Sequence, residues 1–307
     1  HWPALEAAAK KGGAGLYFEA SCVGGVPIIR ALQEGLQANH INSIVGIING
    51  TTNYILTKMT EEGMGYHDAL KEAQQLGYAE FNPTADVEGF DAAYKLSILA
   101  SLAFHTCVPY QTIYREGITK ISKADIKTGL ELGYRIKLLA IGKRRGDVIE
   151  ARVHPTFVPA SHPLAGVGGS SNAVYVNGDF VDDLMFYGRG AGARPTGSAI
   201  VSDVVYAAKA AAPLYSDFVN DGKVADGIEI TGDFSSKYYF AVSVKDVPGV
   251  LAAVAGVLAK HNVGIESVSQ RSGGSGAVIV FLTHTALESD VKASVTDIEQ
   301  LDDTNKV

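Results

Sequence analysis

Cysteine is almost missing: two thiols, Cys22 and Cys107, serve 307 residues. Two cannot staple a chain of this length, and neither stands in a metal-ligand spacing. A disulfide framework and a cysteine zinc centre are therefore excluded, and both thiols are expected in the core as small hydrophobes. Long apolar runs are lacking as well. Nothing approaches the roughly 20 residues needed to span a bilayer, so no membrane partner is expected. Positive charge is in deficit: 26 Lys and Arg against 33 Asp and Glu leave a formal net charge of -7. Such a surface repels nucleic acid and anionic lipid, and no nucleic-acid partner is expected. The one dense basic cluster, Lys137, Lys143, Arg144 and Arg145, reads as a solvated strand end and turn. His40, His67, His105, His154, His162, His261 and His284 show no metal spacing and are expected to be structural or exposed. The first residues, His1 to Lys11, carry no signal-peptide pattern, which with the scarce thiols points to a reducing, cytoplasmic setting.

What is present is apolar material: 47% hydrophobic against 19% charged, enough for a sizeable core and two or so domains. His1 to Lys11 looks like a helix entered midway, with Leu5, Ala8 and Ala9 on one side, which suggests missing upstream sequence. Ala14 to Ala20 reads as a short buried strand, Ser21 to Pro27 as a glycine-rich turn, and Ile28 to Leu36 as a helix start. Asn42 to Ile48 is a second apolar strand, followed by cap residues and a helix from Tyr54 to Glu62. A short helix spans Tyr66 to Leu76, a proline-containing loop Tyr78 to Ala85, and a longer helix Asp86 to Phe104, with Leu96, Leu99, Ala100 and Ala103 inward. Strand signals dominate from Tyr134 to Tyr187, with Asn177-Gly178 as a two-residue hairpin signal. A helix resumes from Thr196 to Ala211. Residues 213–236 are rich in loop formers and mark a boundary, beyond which the order βαββα describes a small independent module.

The richest stretch is GYAEFNPTADVEGFDAAYK, Gly77 to Lys95. Asp91 and Lys95 are four apart and share a helical face. As an exposed ion pair they would contribute only about 0.3–0.5 kcal/mol. Their helix is otherwise small or apolar, however, and the bent loop brings a second acid, Glu80, back toward them. An ammonium held by a carboxylate can give a proton to a carbonyl oxygen as hydride arrives at carbon. Nearby acids suit a substrate that carries its own ammonium group.

In these residues the chain resembles homoserine dehydrogenases, whose signature runs through a Pro-containing loop to G-x-D-x-x-x-K, here Gly89 to Lys95. The resemblance implies interconversion of L-homoserine and L-aspartate 4-semialdehyde with NADP or NAD, in threonine, methionine and isoleucine biosynthesis. It implies Lys95 as proton donor, Glu80 and Asp91 as substrate ligands, Asp86 as a further active-site acid, and Gly77 beside the nicotinamide. Phe18 to Pro27, FEASCVGGVP, resembles the family's monovalent-cation turn. There Glu19 and the carbonyls of Cys22, Gly24 and Val26 would hold sodium or potassium; a plain βα turn fits the same residues. Gly46 to Tyr54 resembles its substrate-side strand and helix cap. Asn49 and Thr51 are candidates to bind substrate or to cap the helix, with capping favoured for Thr51. Gly188 to Ala193 fits G-x-G-x-x-A, a weak match. By resemblance it is a return to the cofactor domain, with Gly190 and Gly192 beside the cofactor. The family's glycine fingerprint and the lysine it carries upstream of the first helix are not in this chain, so the chain is expected to begin after the first βα units.

Asp246-Val247-Pro248-Gly249-Val250-Leu251, a helix, and then Asn262 to Ile265 resemble an ACT domain, a regulatory amino-acid-binding module. The resemblance implies an effector, typically threonine, at Asp246, Gly249, Val250 and Leu251. The fold class expected is α/β with α+β. A partial Rossmann-type nucleotide-binding domain takes residues 1–36, with 188–212 as its return. A mixed-sheet catalytic and dimerisation region takes 37–187, a linker 213–236, and a βαββαβ ferredoxin-like ACT module 237–307. A homodimer or homotetramer is expected, and fusion to an upstream aspartate kinase is open. The alternatives are a related dehydrogenase of another amino-acid-like substrate, or a non-catalytic amino-acid sensor working through the ACT module alone.

Overall fold

A computed structural model describes residues 1–216, 222–273 and 276–306. Residues 217–221 of the expected linker, and 274, 275 and 307 of the expected C-terminal module, lie outside these. The chain divides into two units, His1–Thr231 and Gly232–Val307.

In chain order the first unit has helix α1 (Trp2–Gly12), α2 (Ile28–Arg30, continued as a π turn to Gly35), strand β1 (Ile41–Ile47), α3 (Gly50–Glu61), α4 (Tyr66–Gln75), α5 (Thr84–Val87), α6 (Phe90–Phe104), β2 (Tyr114–Arg115), α7 (Lys123–Glu131), β3 (Tyr134–Arg145), β4 (Val148–Pro159), β5 (Ser171–Gly178), β6 (Asp182–Arg189), α8 (Ala193–Lys209) and β7 (Glu229–Thr231). The strands form one mixed sheet in the order β2-β4-β3-β1-β5-β6, with β7 also on β4. β2 and β7 run parallel to β4, and the remaining pairs are antiparallel. One face is apolar at alternate positions, Ile136, Leu138 and Ala140 on β3 and Val174 and Val176 on β5, and joins the α3 and α6 side chains in the main core. The opposite face carries a smaller cluster that includes Ile47, Leu139, Ile141, Leu164 and Val167. Among the described residues no helix is long and apolar enough to cross a membrane.

The helix expected over Asp86 to Phe104 is two helices. Gly89 takes φ 78° between α5 and α6, a conformation that favours glycine. Four other expectations are corrected. Ala14 to Ala20 is not a strand: among the described residues no strand pairs with it, its one long-range main-chain bond is Leu16 N–H to Leu214 O, and Glu19–Ser21 is a 3-10 turn. On α1 the apolar Leu5 is exposed and Glu6 is buried, where its carboxylate accepts from the Trp2 indole and the Ser216 amide. Asn177 and Gly178 are paired strand residues opposite Asp183 and Asp182, so the turn lies further on, and Asp182 carries the positive φ. Lys137 is buried rather than solvated, since β3 places it on the same face as Leu139 and Ile141.

The second unit has β8 (Ser235–Ser236), β9 (Tyr239–Val244), α9 (Val250–Lys260), β10 (Ile265–Gly273), β11 (Gly276–Thr283), β12 (Ala286–Leu287), α10 (Glu288–Ile298) and β13 (Thr304–Lys306). β10-β11-β9-β13 form an antiparallel sheet, the ferredoxin-like order, and β8 pairs with β12. Val254, Leu258, Ile279, Phe281 and Ile298 fill a core of its own.

Candidate active site

The site is assembled where β1 ends and α3 begins. Asn49 is the N-cap of α3: its Oδ1 accepts the Thr52 N–H at 2.9 Å. The capping expected of Thr51 thus belongs to Asn49, while the Thr51 hydroxyl donates to the Tyr78 carbonyl at 2.5 Å. That bond ties the Gly77–Pro83 loop to the helix start.

α5 and α6 deliver the charged groups. The Lys95 ammonium stands 2.7 Å from Asp91 Oδ2 and 3.2 Å from the Ile48 carbonyl. The two side chains are 22% and 30% exposed, neither core nor open water. Asn49 Nδ2 donates to Asp86 Oδ1 at 2.7 Å and to Asp91 Oδ2 at 2.9 Å. Burial holds the Asp86 carboxyl above its ordinary pKa, and the negative Asp91 adds to this, against the hydrogen bond from Asn49 and the attraction of Lys95. Asn49, Asp86, Asp91 and Lys95 therefore form one connected cluster. Glu80 does not join it: it is exposed, and its main-chain carbonyl is held by Gln74 Nε2 at 3.1 Å. Gly77 takes φ 77°, with open space where a Cβ would be.

Behind Lys95 lies the glycine turn. The Cys22 thiol donates to the Lys95 carbonyl, and burial pushes its pKa up to about 12, so it is a packing group and not a nucleophile. Glu19 is buried and its carboxylate caps α2, accepting the Ile29 and Arg30 N–H groups at 2.8 and 2.9 Å. The Val26 carbonyl accepts from Ile28, whereas Val23 and Gly24 both have positive φ. Asp203 on α8 takes the Glu19 N–H at 2.9 Å and the Arg30 guanidinium at 2.9 Å, which joins the returning helix to this turn. Gly24 and Gly190 meet backbone to backbone: a Cβ on Gly24 would lie 2.5 Å from the Gly190 carbonyl oxygen. Gly192 is the N-cap of α8, without a side-chain cap. Among the described residues no group of three or more His, Cys, Asp or Glu side chains could hold a metal ion.

In the second unit Asp246 Oδ1 accepts from Gln270 Nε2 at 3.2 Å. Gly249 is the N-cap of α9 at φ 96°, Val250 is buried, and Leu251 packs against the core from a half-buried position. Sequence reasoning missed the Ile48 carbonyl, the thiol contact to Lys95, and Asn172, whose Nδ2 holds the Ile47 carbonyl at 2.8 Å. Only Asn172 had a signal, a polar residue beside the apolar start of β5.

A family profile described as homoserine dehydrogenase matches residues 27–205, and one described as ACT domain matches residues 238–303. A homoserine dehydrogenase of Neisseria gonorrhoeae is 47% identical over 297 residues, covering 94% of this chain and 68% of the relative. The chain belongs to the homoserine dehydrogenase family. The crystal structure of a homoserine dehydrogenase from Thiobacillus denitrificans superposes with a TM-score of 0.91 at 41% identity, covering 99% of this chain and 71% of that one. A hyperthermophilic archaeal homoserine dehydrogenase in complex with NADPH is 31% identical, with a TM-score of 0.59, covering 67% of this chain and 60% of that one. The chain is thus an oxidoreductase of amino-acid biosynthesis with a C-terminal ACT domain.

Proposed function

We propose that Lys95 is the proton donor in the NADP- or NAD-dependent interconversion of L-homoserine and L-aspartate 4-semialdehyde. The observation that carries this reading is the placement of the amine. An ammonium has three N–H donors, and two of them are spent on Asp91 and the Ile48 carbonyl. The third is left for an aldehyde oxygen. In reduction Lys95 gives its proton to that oxygen as carbon accepts hydride; in oxidation the amine takes the hydroxyl proton back. Asp91, Asp86 and, from the exposed loop, Glu80 offer negative charge for the ammonium group of the amino-acid substrate.

Residues here fit the nicotinamide end of the cofactor: Gly77 leaves room for a ring, and α8 begins at Gly192, next to Gly190, with no side chain over its N–H groups. The bound nicotinamide supplies or removes the hydride. A sodium or potassium ion suits the carbonyls of Cys22, Gly24 and Val26, with the Glu19 carboxylate committed to α2. The ACT module takes threonine at Asp246, Gly249, Val250 and Leu251, and the enzyme works in the cytoplasm as a homodimer or homotetramer.

Lys95→Met tests the assignment. Homoserine oxidation, followed by nicotinamide absorbance, is expected to lose about 10²–10⁴ in kcat, the worth of positioned proton transfer. The variant should remain folded, with some loss of Tm because the partly buried Asp91 carboxylate loses its partner. Undiminished turnover removes Lys95 from the reaction.

A further inference from the structure

The Asn49 carboxamide has no hydrogen-bonding capacity left for a ligand. A primary amide offers two N–H donors and an oxygen with two lone pairs. Both donors go to acids, Asp86 Oδ1 at 2.7 Å and Asp91 Oδ2 at 2.9 Å. The oxygen accepts the Thr52 N–H at 2.9 Å and stands 2.9 Å from the Thr52 hydroxyl. The group is 5% exposed. Its orientation is fixed from both ends: turned over, it would set its oxygen against two carboxylates and its NH₂ against a main-chain N–H.

The cap alone does not explain asparagine at this position. Asp and Ser cap helices as well as Asn does. Only Asn caps with an oxygen while donating from the other end of the same group. Its nitrogen lies between two carboxylates that would otherwise repel each other, and Asp91 Oδ2 is shared between that nitrogen and the Lys95 amine.

We propose that Asn49 is a positioning residue of the reaction: it bridges Asp86 to Asp91 and so fixes the Asp91 carboxylate that grips Lys95. It acts through the acids and does not touch substrate. The proposal rests on the reading of Lys95 as proton donor. The titratable groups around the bridge are Asp86 from α5, Asp91 and Lys95 from α6, and the Cys22 thiol behind Lys95.

The test compares Asn49→Asp and Asn49→Ser in the whole protein, since both retain a cap on α3 and neither can donate as an amide does. Asn49→Ser is expected to stay folded, with a lower Tm because two acids lose their donor, while kcat falls about tenfold to a hundredfold, the usual result of slight misplacement. Asn49→Asp is expected to show a pH signature that loss of a cap cannot produce. A third carboxylate depresses kcat most at about pH 9, and protonation at position 49 restores one donor, so the ratio of variant to parent kcat rises threefold or more toward about pH 6. Parent-like kcat in Asn49→Ser, or a ratio flat across pH in Asn49→Asp, overturns the bridge. If Lys95→Met is inactive while that ratio is flat, only the bridge has failed. If Lys95→Met still turns over, the reading beneath it has failed.

Discussion

Lys137 is buried beside neutral acceptors. Its Nζ lies 3.1 Å from Asn53 Oδ1 and 2.6 Å from the Val167 carbonyl, and the residue is 5% exposed. Burial pushes its pKa down to about 8, against about 10.4 in an unfolded chain. Between those values the folded protein has released the proton and the unfolded chain still holds it, so stability rises with pH across the window. The full rise is about 3 kcal/mol; below the window the cost of the buried charge is constant. Lys137→Met has no proton to release. Denaturant midpoints at about pH 7, 8.5 and 10 should show the parent gaining on the variant by up to that amount, and two parallel curves would refute the assignment. Sequence reading put Lys137 on a solvated turn because its companions Lys143, Arg144 and Arg145 stand there. Burial was set by the distant segment around Leu164 and Val167, which no local pattern contains. Asp91 and Lys95 were legible for the opposite reason: four-residue spacing on a helix forces the pair together whatever surrounds it. Glu80 was not, because loop geometry decides its direction.

Caps and glycines decided which elements could be read. α4 lies where periodicity and stop signals put it; α3 starts four residues before the expected Tyr54, at Gly50, and the helix expected from Asp86 is broken at Gly89. The expected strand over Ala14 to Ala20 failed because a strand needs a partner that its own residues do not encode. The hairpin after β5 slid because Asp182 took the left-handed conformation assigned to Gly178. The glycine turn was legible as a turn, but its reason emerges only in three dimensions. Gly24 has φ +31° and its Cα faces the Gly190 carbonyl, leaving no room for a methyl group. Gly24→Ala should therefore cost about 2 kcal/mol or more, from strain and from separation of the two segments. Gly35→Ala serves as the control, since its Cβ would meet nothing within 4 Å and its φ is not positive; that change should be neutral or slightly stabilising. Thermal unfolding of the two variants checks the contrast, and equal Tm values would mean that the close approach contributes nothing.

At the scale of the whole molecule, the two units each close an apolar core, and their division at Thr231 falls within residues 213–236, the stretch expected as a linker. What composition could not show is that Glu229–Thr231, inside the expected linker, forms a strand on β4, a pairing of residues far apart in sequence. A molecule that binds one folded unit raises the unfolding free energy of that unit by RT ln(1 + [L]/Kd), about 2.7 kcal/mol at a hundredfold excess over Kd. The start of α9 offers main-chain N–H groups at Gly249 with no side-chain cap, a place for a carboxylate, beside the acid Asp246. L-threonine added to the whole chain in a calorimeter should therefore move the transition of the Gly232–Val307 unit upward. Asp246→Ala should abolish the movement by removing the acid opposite the amino group, while the transition without ligand stays where it was, because Asp246 is exposed and its Gln270 contact is a surface one. A thermogram indifferent to threonine at millimolar excess would leave the C-terminal unit without this effector.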